Sequence, residues 1–268
     1  MKVGIKLPKA ISSVTNLGVP RSWHPVKKWI RVSSLLTFLL LMGASMLVFI
    51  YGVADTYAAY KDHGPAMIDE KLPAPSLIAF TLFLFGLLFL RSLFTNWFKS
   101  AVVYERGFAY RDRNGVRAWA WADVASLTAG VTRHNSIGIH VGTTHRYTLK
   151  NYSDDKLMLT DALKEVEQLA QAIEQAIFPR LYDEAAVLYN SGQTVVCGPV
   201  AINKSGLVIG RKTYPWSEVQ QISVQNGILR ASKKGGGWFR GASAAVSTIP
   251  NLRVLLSIID QVRGVKTG

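Results

Sequence analysis

Three histidines lie close together in the sequence at His134, His140 and His145, and imidazole is the commonest metal ligand in proteins. His140 and His145 are predicted on neighbouring strands of one hairpin. A zinc site needs three or four protein ligands, and no cysteine or carboxylate is expected beside these two histidines. The sequence therefore predicts solvated or hydrogen-bonded histidines, with no metal ion and no cofactor.

Two acidic residues, Asp123 and Glu218, each follow a tryptophan by two positions. This spacing places each carboxylate on the strand face of the tryptophan or at the cap of a local turn. General acid–base catalysis is disfavoured, because no base, nucleophile or metal ligand recurs beside the two acids. The glycine run at 235–237 also lacks the Lys-Ser/Thr pair of a phosphate-binding loop. We therefore expect a non-enzymatic protein. A large polar pocket between the two lobes, whose titratable groups have strongly shifted pKa values, would instead favour an enzyme.

The strongest candidate for a binding site is a loop that places three cations and two aromatic side chains around these glycines. Its members are Lys233, Lys234, Trp238, Phe239 and Arg240. Cationic and aromatic side chains together are typical of segments that bind the membrane interface, so we expect these residues to face lipid or a partner. The alternative is that Trp238 and Phe239 begin the next strand and pack inward, while the lysines are solvated.

These residues belong to a chain that contains two long uncharged apolar runs near its start, at 32–54 and 74–90. About 20 apolar residues in a helix cross a ~30 Å hydrocarbon core, so each run predicts a transmembrane helix. A cleaved signal peptide is the alternative for the first run, but the length of the run and the 31 residues before it argue against this. Residues 1–31 contain seven Lys or Arg and no acid, whereas residues 55–73 contain four acids and two lysines. The positive-inside rule then predicts a multi-pass protein of the cell inner membrane with both termini in the cytoplasm.

The net charge of +14 is concentrated at the two ends of the chain. Residues 101–193 contain ten basic and eleven acidic residues, whereas residues 194–268 contain ten basic and only two acidic residues. A basic surface tethered beside an anionic leaflet predicts membrane lipids as the nearest partner. Nucleic acid is disfavoured, because no recognition helix, zinc-finger spacing or RNP-like motif accompanies the charge. The single cysteine, Cys197, permits no internal disulfide and is expected to be a small buried residue in a reducing compartment.

The chain after the second apolar run contains an internal repeat. Each copy has a turn glycine, an apolar strand, a variable turn and then the pattern Trp-x-acid-Val-x-x-apolar. The paired residues are Gly107 with Trp121 and Gly206 with Trp216. We expect positive φ at both glycines and burial of both tryptophans in the core. Asn114-Gly115 is typical of a hairpin turn.

Each copy is predicted to end in a helix. In the first copy, Ser153 is the expected N-cap, and apolar residues within 159–177 follow at steps of three or four. Pro179 is expected to end or kink this helix before a second helical piece at 181–189. In the second copy, Pro250 is a suitable first helical residue.

Strands followed by one C-terminal helix, twice, with a tryptophan in each meander, resemble the pleckstrin-homology-like (PH-like) fold. The chain is also similar to a family of uncharacterised bacterial membrane proteins that combine a membrane hairpin with tandem PH-like repeats. The similar segments are 191–199, 206–207, 215–216, 227–230 and 249–252. Cys197 departs from the pattern of this family, in which an aromatic residue is expected. The resemblance implies a fold and a location, and it implies no activity.

Together these features predict an α+β membrane protein with a two-helix transmembrane hairpin followed by two PH-like lobes, each an antiparallel strand meander with a C-terminal helix. The expected domains are a basic cytoplasmic tail (1–31), transmembrane helix 1 (32–54), an extracytoplasmic loop (55–73), transmembrane helix 2 with a juxtamembrane segment (74–98), lobe 1 (99–178), a helical linker (179–193) and lobe 2 (194–268). We expect a scaffold or accessory module that binds an unknown protein partner at the membrane. The alternative is an anionic-lipid sensor, or an accessory subunit of a transporter, acting through the basic second lobe. The sequence leaves a homo-oligomer open.

Overall fold

The computed structural model describes residues 11, 16–136, 139–233, 241–263 and 266–267. The chain forms two compact units. The hairpin unit consists of residues 25–100 and 110–116, and the β-rich unit consists of residues 1–24, 101–109 and 117–268. The class is α+β, with two long apolar helices followed by antiparallel sheets.

The hairpin unit contains three helices. They are α1 Lys28–His63, α2 Ala66–Lys71 and α3 Pro73–Trp97. α1 and α3 contain the two apolar runs, and each is long and apolar enough to cross a membrane, with a mean hydropathy of 2.2 over an 18-residue window. The Ser45 hydroxyl of α1 donates a 2.7 Å hydrogen bond to the carbonyl oxygen of Ala79 in α3. Much of the predicted loop at 55–73 is helical, because α1 continues to His63 and α2 follows it.

Two sheets and one helix form the first copy of the repeat. The first sheet has the strand order β1-β2-β3-β4, and the second has the order β5-β6-β7. A long helix, α4, follows. The bounds are β1 Pro20–Pro25, β2 Ser100–Tyr104, β3 Gly107–Asp112, β4 Gly115–Ala120, β5 Val124–Ser136, β6 Ile139–Asn151, β7 Lys156–Thr160 and α4 Val166–Asn190.

The second copy has the same sequence of elements. One sheet has the order β11-β10-β9-β8, and the other has the order β14-β13-β12-β15, in which β15 pairs parallel with β12. The bounds are β8 Val195–Cys197, β9 Val200–Asn203, β10 Gly206–Ile209, β11 Lys212–Pro215, β12 Val219–Gln225, β13 Ile228–Lys233, β14 Ala242–Ala245, α5 Leu252–Arg263 and β15 Lys266–Thr267.

Each copy therefore has four strands in one sheet, three consecutive strands in a second sheet, and then a helix. β1–β4 correspond to β8–β11, β5–β7 correspond to β12–β14, and α4 corresponds to α5. The element order repeats, as the sequence pattern predicts. The structure also has one strand at the start of each copy that the pattern does not predict. In the first copy this added strand is β1, and the two long apolar helices lie in the chain between β1 and β2.

β1 lies within the segment 1–31, which the sequence analysis assigns to a tail. The neighbouring residues also belong to the β-rich unit: Leu17 is 3% exposed and Ile11 is fully buried. The Tyr104 hydroxyl donates a 3.0 Å hydrogen bond to the carbonyl oxygen of Ile11. β1 was not predicted because its six residues begin and end with proline and show no alternation of apolar and polar side chains.

The helix of the first copy begins later than the sequence predicts. Ser153 does not cap it, because β7 follows this residue and pairs with β6. The apolar side chains of β7 alternate between buried and exposed, as on a strand with one face in the core. α4 begins at Val166 and continues through Pro179 to Asn190, so it crosses the predicted boundary between lobe 1 and the linker.

Candidate functional site

Each copy of the repeat holds its tryptophan by two hydrogen bonds to backbone carbonyls just before the repeat glycine. The indole Nε1 of Trp121 donates to the carbonyl oxygen of Glu105 at 3.0 Å. In the second copy, Nε1 of Trp216 donates to the carbonyl oxygen of Asn203 at 2.8 Å. The backbone N–H of each tryptophan also donates to the carbonyl of the residue before the repeat glycine, at 3.0 Å for Trp121 and 3.2 Å for Trp216. The two tryptophan turns are therefore equivalent structural elements.

The repeat glycines are required for a reason other than the predicted one. Gly107 and Gly206 do not have positive φ, so the expectation of left-handed turns is wrong. A Cβ on Gly107 would clash with the carbonyl oxygen of Trp119, and a Cβ on Gly206 would clash with that of Tyr214. Each of these carbonyls belongs to the residue two positions before the repeat tryptophan. Only glycine allows two backbone segments to approach this closely.

The two repeat tryptophans differ in burial. Trp216 is buried at 9% exposure, as predicted, whereas Trp121 is only partly buried. Trp119, in β4, is buried at 7% exposure, as is Tyr214 at the same position of the second copy, and the Trp119 ring packs edge-on against Phe108. The prediction that Trp121 fills the core is wrong, because its ring stacks on Phe108 with part of its surface exposed.

The two repeated acids make contacts within the fold. A carboxylate oxygen of Asp123 accepts a 3.1 Å hydrogen bond from the backbone N–H of Ala120 and so caps its turn, one of the two predicted arrangements. Glu218 lies 2.8 Å from the ammonium of Lys233. Both carboxylates therefore stabilise local structure.

Most of the predicted binding loop lies outside the described residues. This applies to Lys234, Trp238, Phe239 and Arg240. Lys233 ends β13, and its side chain is 46% exposed and paired with Glu218. An exposed ion pair contributes at most about 1 kcal/mol, so this pairing leaves Lys233 available to another anion. The role of the loop in binding stays a prediction.

One of the three clustered histidines has two acidic neighbours that the sequence analysis did not expect. Nδ1 of His145 lies 3.2 Å from Asp161, and Nε2 lies 2.9 Å from Glu167. The expectation that no carboxylate lies nearby is wrong, because β6 pairs with β7 and α4 begins just after it. Among the described residues, no group of three His, Cys, Asp or Glu side chains could hold a metal ion. His140 and His145 lie in the same strand, β6, so the prediction of neighbouring strands is wrong. The side chains of His134 and His140 lie outside the described part of the structure.

Arg180 joins α4 to the tryptophan turn of the first copy, a contact that the sequence does not predict. Its Nη1 donates 2.6 Å hydrogen bonds to the Tyr152 hydroxyl and to the Glu184 carboxylate. Its Nη2 donates to the carbonyl oxygens of Trp121 and Val124. The sequence shows only a helical arginine with an acid four positions later, which is a common surface pair.

The thiol of Cys197 and the imidazole of His24 are both buried. Cys197 is 4% exposed, and burial raises the pKa of its thiol to about 11, so the thiol is protonated and unreactive at neutral pH. This confirms the prediction of a small buried cysteine. His24, in β1, is also 4% exposed, and burial lowers its pKa. The two ring nitrogens of His24 lie 2.9 Å from the Ser22 hydroxyl and 3.0 Å from the carbonyl oxygen of Lys164.

The β-rich unit has apolar side chains that face solvent. Val187 and Leu188, near the end of α4, are 68% and 39% exposed, and Val196 is 67% exposed. Val196 is the middle residue of β8, an edge strand, and its neighbours in β8 are buried. Contiguous apolar patches and open strand edges are both typical of surfaces that bind proteins, and α4 contacts β8. We call these three residues the α4–β8 surface.

The hairpin unit has an open groove with a volume of about 390 Å³ near the end of α3. The lining residues are Leu87, Leu90, Arg91, Phe94, Phe98 and Arg113. We call it the basal groove. Two other grooves, of about 550 and 800 Å³, lie between α1 and α3 and are lined mainly by apolar side chains.

Comparison with known proteins gives a family and no activity. The DUF6585 family, described as a family of unknown function, matches residues 10–266. None of the curated proteins matches the chain. The match includes both copies of the repeat and both long helices, and it agrees with the predicted membership of an uncharacterised family. The bacterial origin stays a prediction.

Proposed function

We propose that this chain, which belongs to the DUF6585 family, is a non-enzymatic integral membrane protein whose two PH-like repeats form a scaffold for a protein partner. The repeats would lie at the cytoplasmic face of the cell inner membrane. The observation that carries this proposal is the position of the apolar hairpin, which lies in the chain inside the first copy of the repeat.

The connections between the hairpin and the first copy are short. β1 ends at Pro25 and α1 begins at Lys28, while α3 ends at Trp97 and β2 begins at Ser100. Both connections are attached to adjacent strands of one sheet. A hairpin that crosses the bilayer would then hold the first copy by two short tethers, whereas a terminal anchor would supply only one. Such an attachment suits a module that presents a surface at the membrane.

The element order supports a PH-like fold for each copy. Four strands, three further strands and a C-terminal helix occur twice, with equivalent tryptophan turns. The hydropathy of α1 and α3 supports membrane insertion, and the excess of Lys and Arg before α1 supports a cytoplasmic location for the repeats.

The α4–β8 surface is the proposed contact with the partner. Burying an exposed valine or leucine contributes about 1.5–3 kcal/mol, so these few side chains can supply a substantial part of a binding free energy. An edge strand such as β8 also offers unpaired backbone groups to a strand of the partner.

Site-specific photocrosslinking in membranes of the source cells tests this proposal. A photoreactive residue would replace Val187 or Val196 in the full chain, with the exposed turn residue Lys204 as the control position. We expect a discrete protein adduct from both valine positions, lost from position 187 when Val196→Asp is added. Adducts with lipid alone would instead favour the lipid sensor. Equal labelling of bulk protein from all three positions would contradict the α4–β8 surface.

A further inference from the structure

We propose that the basal groove binds an anionic phospholipid. Arg91 and Arg113 would hold the lipid phosphate, and the start of an acyl chain would lie along Leu87 and Leu90. This inference rests on the proposed function, because that function places the hairpin unit in a bilayer. It adds a lipid class and a binding site that a scaffold by itself does not require.

The groove combines one face of α3 with a separate turn. Leu87, Leu90, Arg91 and Phe94 are spaced by three, one and three residues, which places them on the same side of the helix. Arg113 comes from the turn between β3 and β4, and this turn belongs to the hairpin unit. The volume of about 390 Å³ lies within the usual range of small-molecule sites.

The apolar and cationic side chains are ordered along the helix. Leu87 and Leu90 lie toward the middle of α3, whereas Trp97 ends the helix. Arg91 precedes Trp97 by six residues, which is about 9 Å along a helix. At this depth in a bilayer an arginine is costly unless its side chain extends toward the interface and finds an anion. In a phospholipid the phosphate lies nearer the interface and the acyl chains lie nearer the bilayer centre. Arg91 and the two leucines lie in the same order along α3.

The described part of the structure shows no ion pair for the two arginines that line the groove. Among the described residues, neither Arg91 nor Arg113 has an acidic partner, and no acid lines the groove. The acid beside Arg113 is Asp112, whose carboxylate accepts a 2.8 Å hydrogen bond from the backbone N–H of Asn114. A guanidinium can donate two parallel hydrogen bonds to a phosphate, which makes arginine well suited to this ligand.

One more arginine strengthens the preference for a net negative headgroup. The guanidinium of Arg111 lies 5.4 Å from the ring centre of Phe98, which lines the groove. The ammonium group of phosphatidylcholine would meet like charges here, whereas phosphatidylglycerol carries no cation. We therefore expect selection of the anionic lipid.

Native mass spectrometry of the full chain in detergent tests this inference. Delipidated protein is titrated with phosphatidylglycerol, with phosphatidylcholine of the same acyl chains, or with inorganic phosphate. We expect one phosphatidylglycerol to be retained at least about tenfold more tightly than phosphatidylcholine, because both lipids present a phosphate and only the choline ammonium meets like charge, which costs several kcal/mol. Arg91→Gln and Arg113→Gln should each remove about tenfold in affinity. Arg211→Gln, which removes an exposed arginine between β10 and β11, should not change it.

A variant that keeps the positive charge at position 91 distinguishes a loss of lipid binding from misfolding. Arg91→Lys should retain more affinity than Arg91→Gln, with the same melting temperature. Equal retention of both lipids, an equal effect of Arg211→Gln, or full competition by inorganic phosphate would overturn the inference. Alkaline carbonate extraction of native membranes is measured in parallel. Release of the chain by carbonate would overturn the proposed function, whereas loss of lipid selectivity in a chain that stays in the membrane would overturn only the basal-groove inference.

Discussion

Replacing Leu17 by alanine should destabilise the β-rich unit, because the residues before α1 contribute to its core. Leu17 is 3% exposed, and its carbonyl oxygen accepts a 3.0 Å hydrogen bond from the backbone N–H of Arg106. One of its methyl groups lies 2.9 Å from the position that a Cβ on Gly107 would occupy, so the side chain packs against a repeat glycine. Leucine-to-alanine substitutions in cores cost about 2–5 kcal/mol, and we expect about 3 kcal/mol here.

Val19→Ala is the matched control, since Val19 is 56% exposed and its truncation should change the free energy of unfolding by less than about 0.5 kcal/mol. Thermal unfolding of the detergent-solubilised full chain, followed by near-UV circular dichroism of the tryptophans, measures both variants. A loss of about 3 kcal/mol should lower the melting temperature of a unit of this size by roughly 6–12 °C. If Leu17→Ala has the same melting temperature as Val19→Ala and the wild type, the residues before α1 form a tail. In that case the hairpin does not interrupt the first copy of the repeat.

Two further predictions concern stability. Gly206→Ala should cost about 1–3 kcal/mol, because the added Cβ meets the carbonyl oxygen of Tyr214, whereas Gly142→Ala, whose added Cβ has no neighbour within 4 Å, should change stability by less than about 1 kcal/mol. Chemical denaturation measures both, and equal costs would contradict the close backbone approach. Burial lowers the pKa of His24 in the folded chain, so the unfolded chain binds more protons once the pH falls below about 6.5. Stability should therefore be complete above about pH 6.5 and should fall as the pH falls toward the folded pKa. His24→Gln should show a smaller fall in melting temperature than the wild type over this range, and an unchanged pH dependence would contradict the prediction.

The sequence predicts the parts of the fold that depend on local pattern. The two apolar runs appear as α1 and α3, because a long uncharged stretch is visible in the composition alone. The start of α4 was placed too early, since Leu159, Leu163 and Val166 fit a helical spacing even though Leu159 belongs to β7. β1 was missed because its partner, β2, lies beyond the whole hairpin in the sequence.

Contacts between distant segments explain what the sequence could not predict about the candidate sites. The pattern identifies Gly107 and Gly206 as important, but the reason is a close approach of two backbones, which no local rule contains. The acids beside His145 and the carbonyl partners of Arg180 likewise come from other elements. The basal groove combines α3 with Arg113, which follows it after an intervening strand pair.

The topology of the hairpin is the most direct test of the proposed function. His63→Cys introduces an exposed thiol at the end of α1, and Lys204→Cys introduces one in the turn between β9 and β10. The native Cys197 gives little background, because it is buried and its thiol pKa is raised to about 11. With a membrane-impermeant maleimide, His63→Cys should be labelled from outside the cytoplasmic membrane, and Lys204→Cys only after the cytoplasmic side is opened. Labelling of both variants from the same side, or of His63→Cys only from the cytoplasm, would contradict a membrane-spanning hairpin with cytoplasmic repeats.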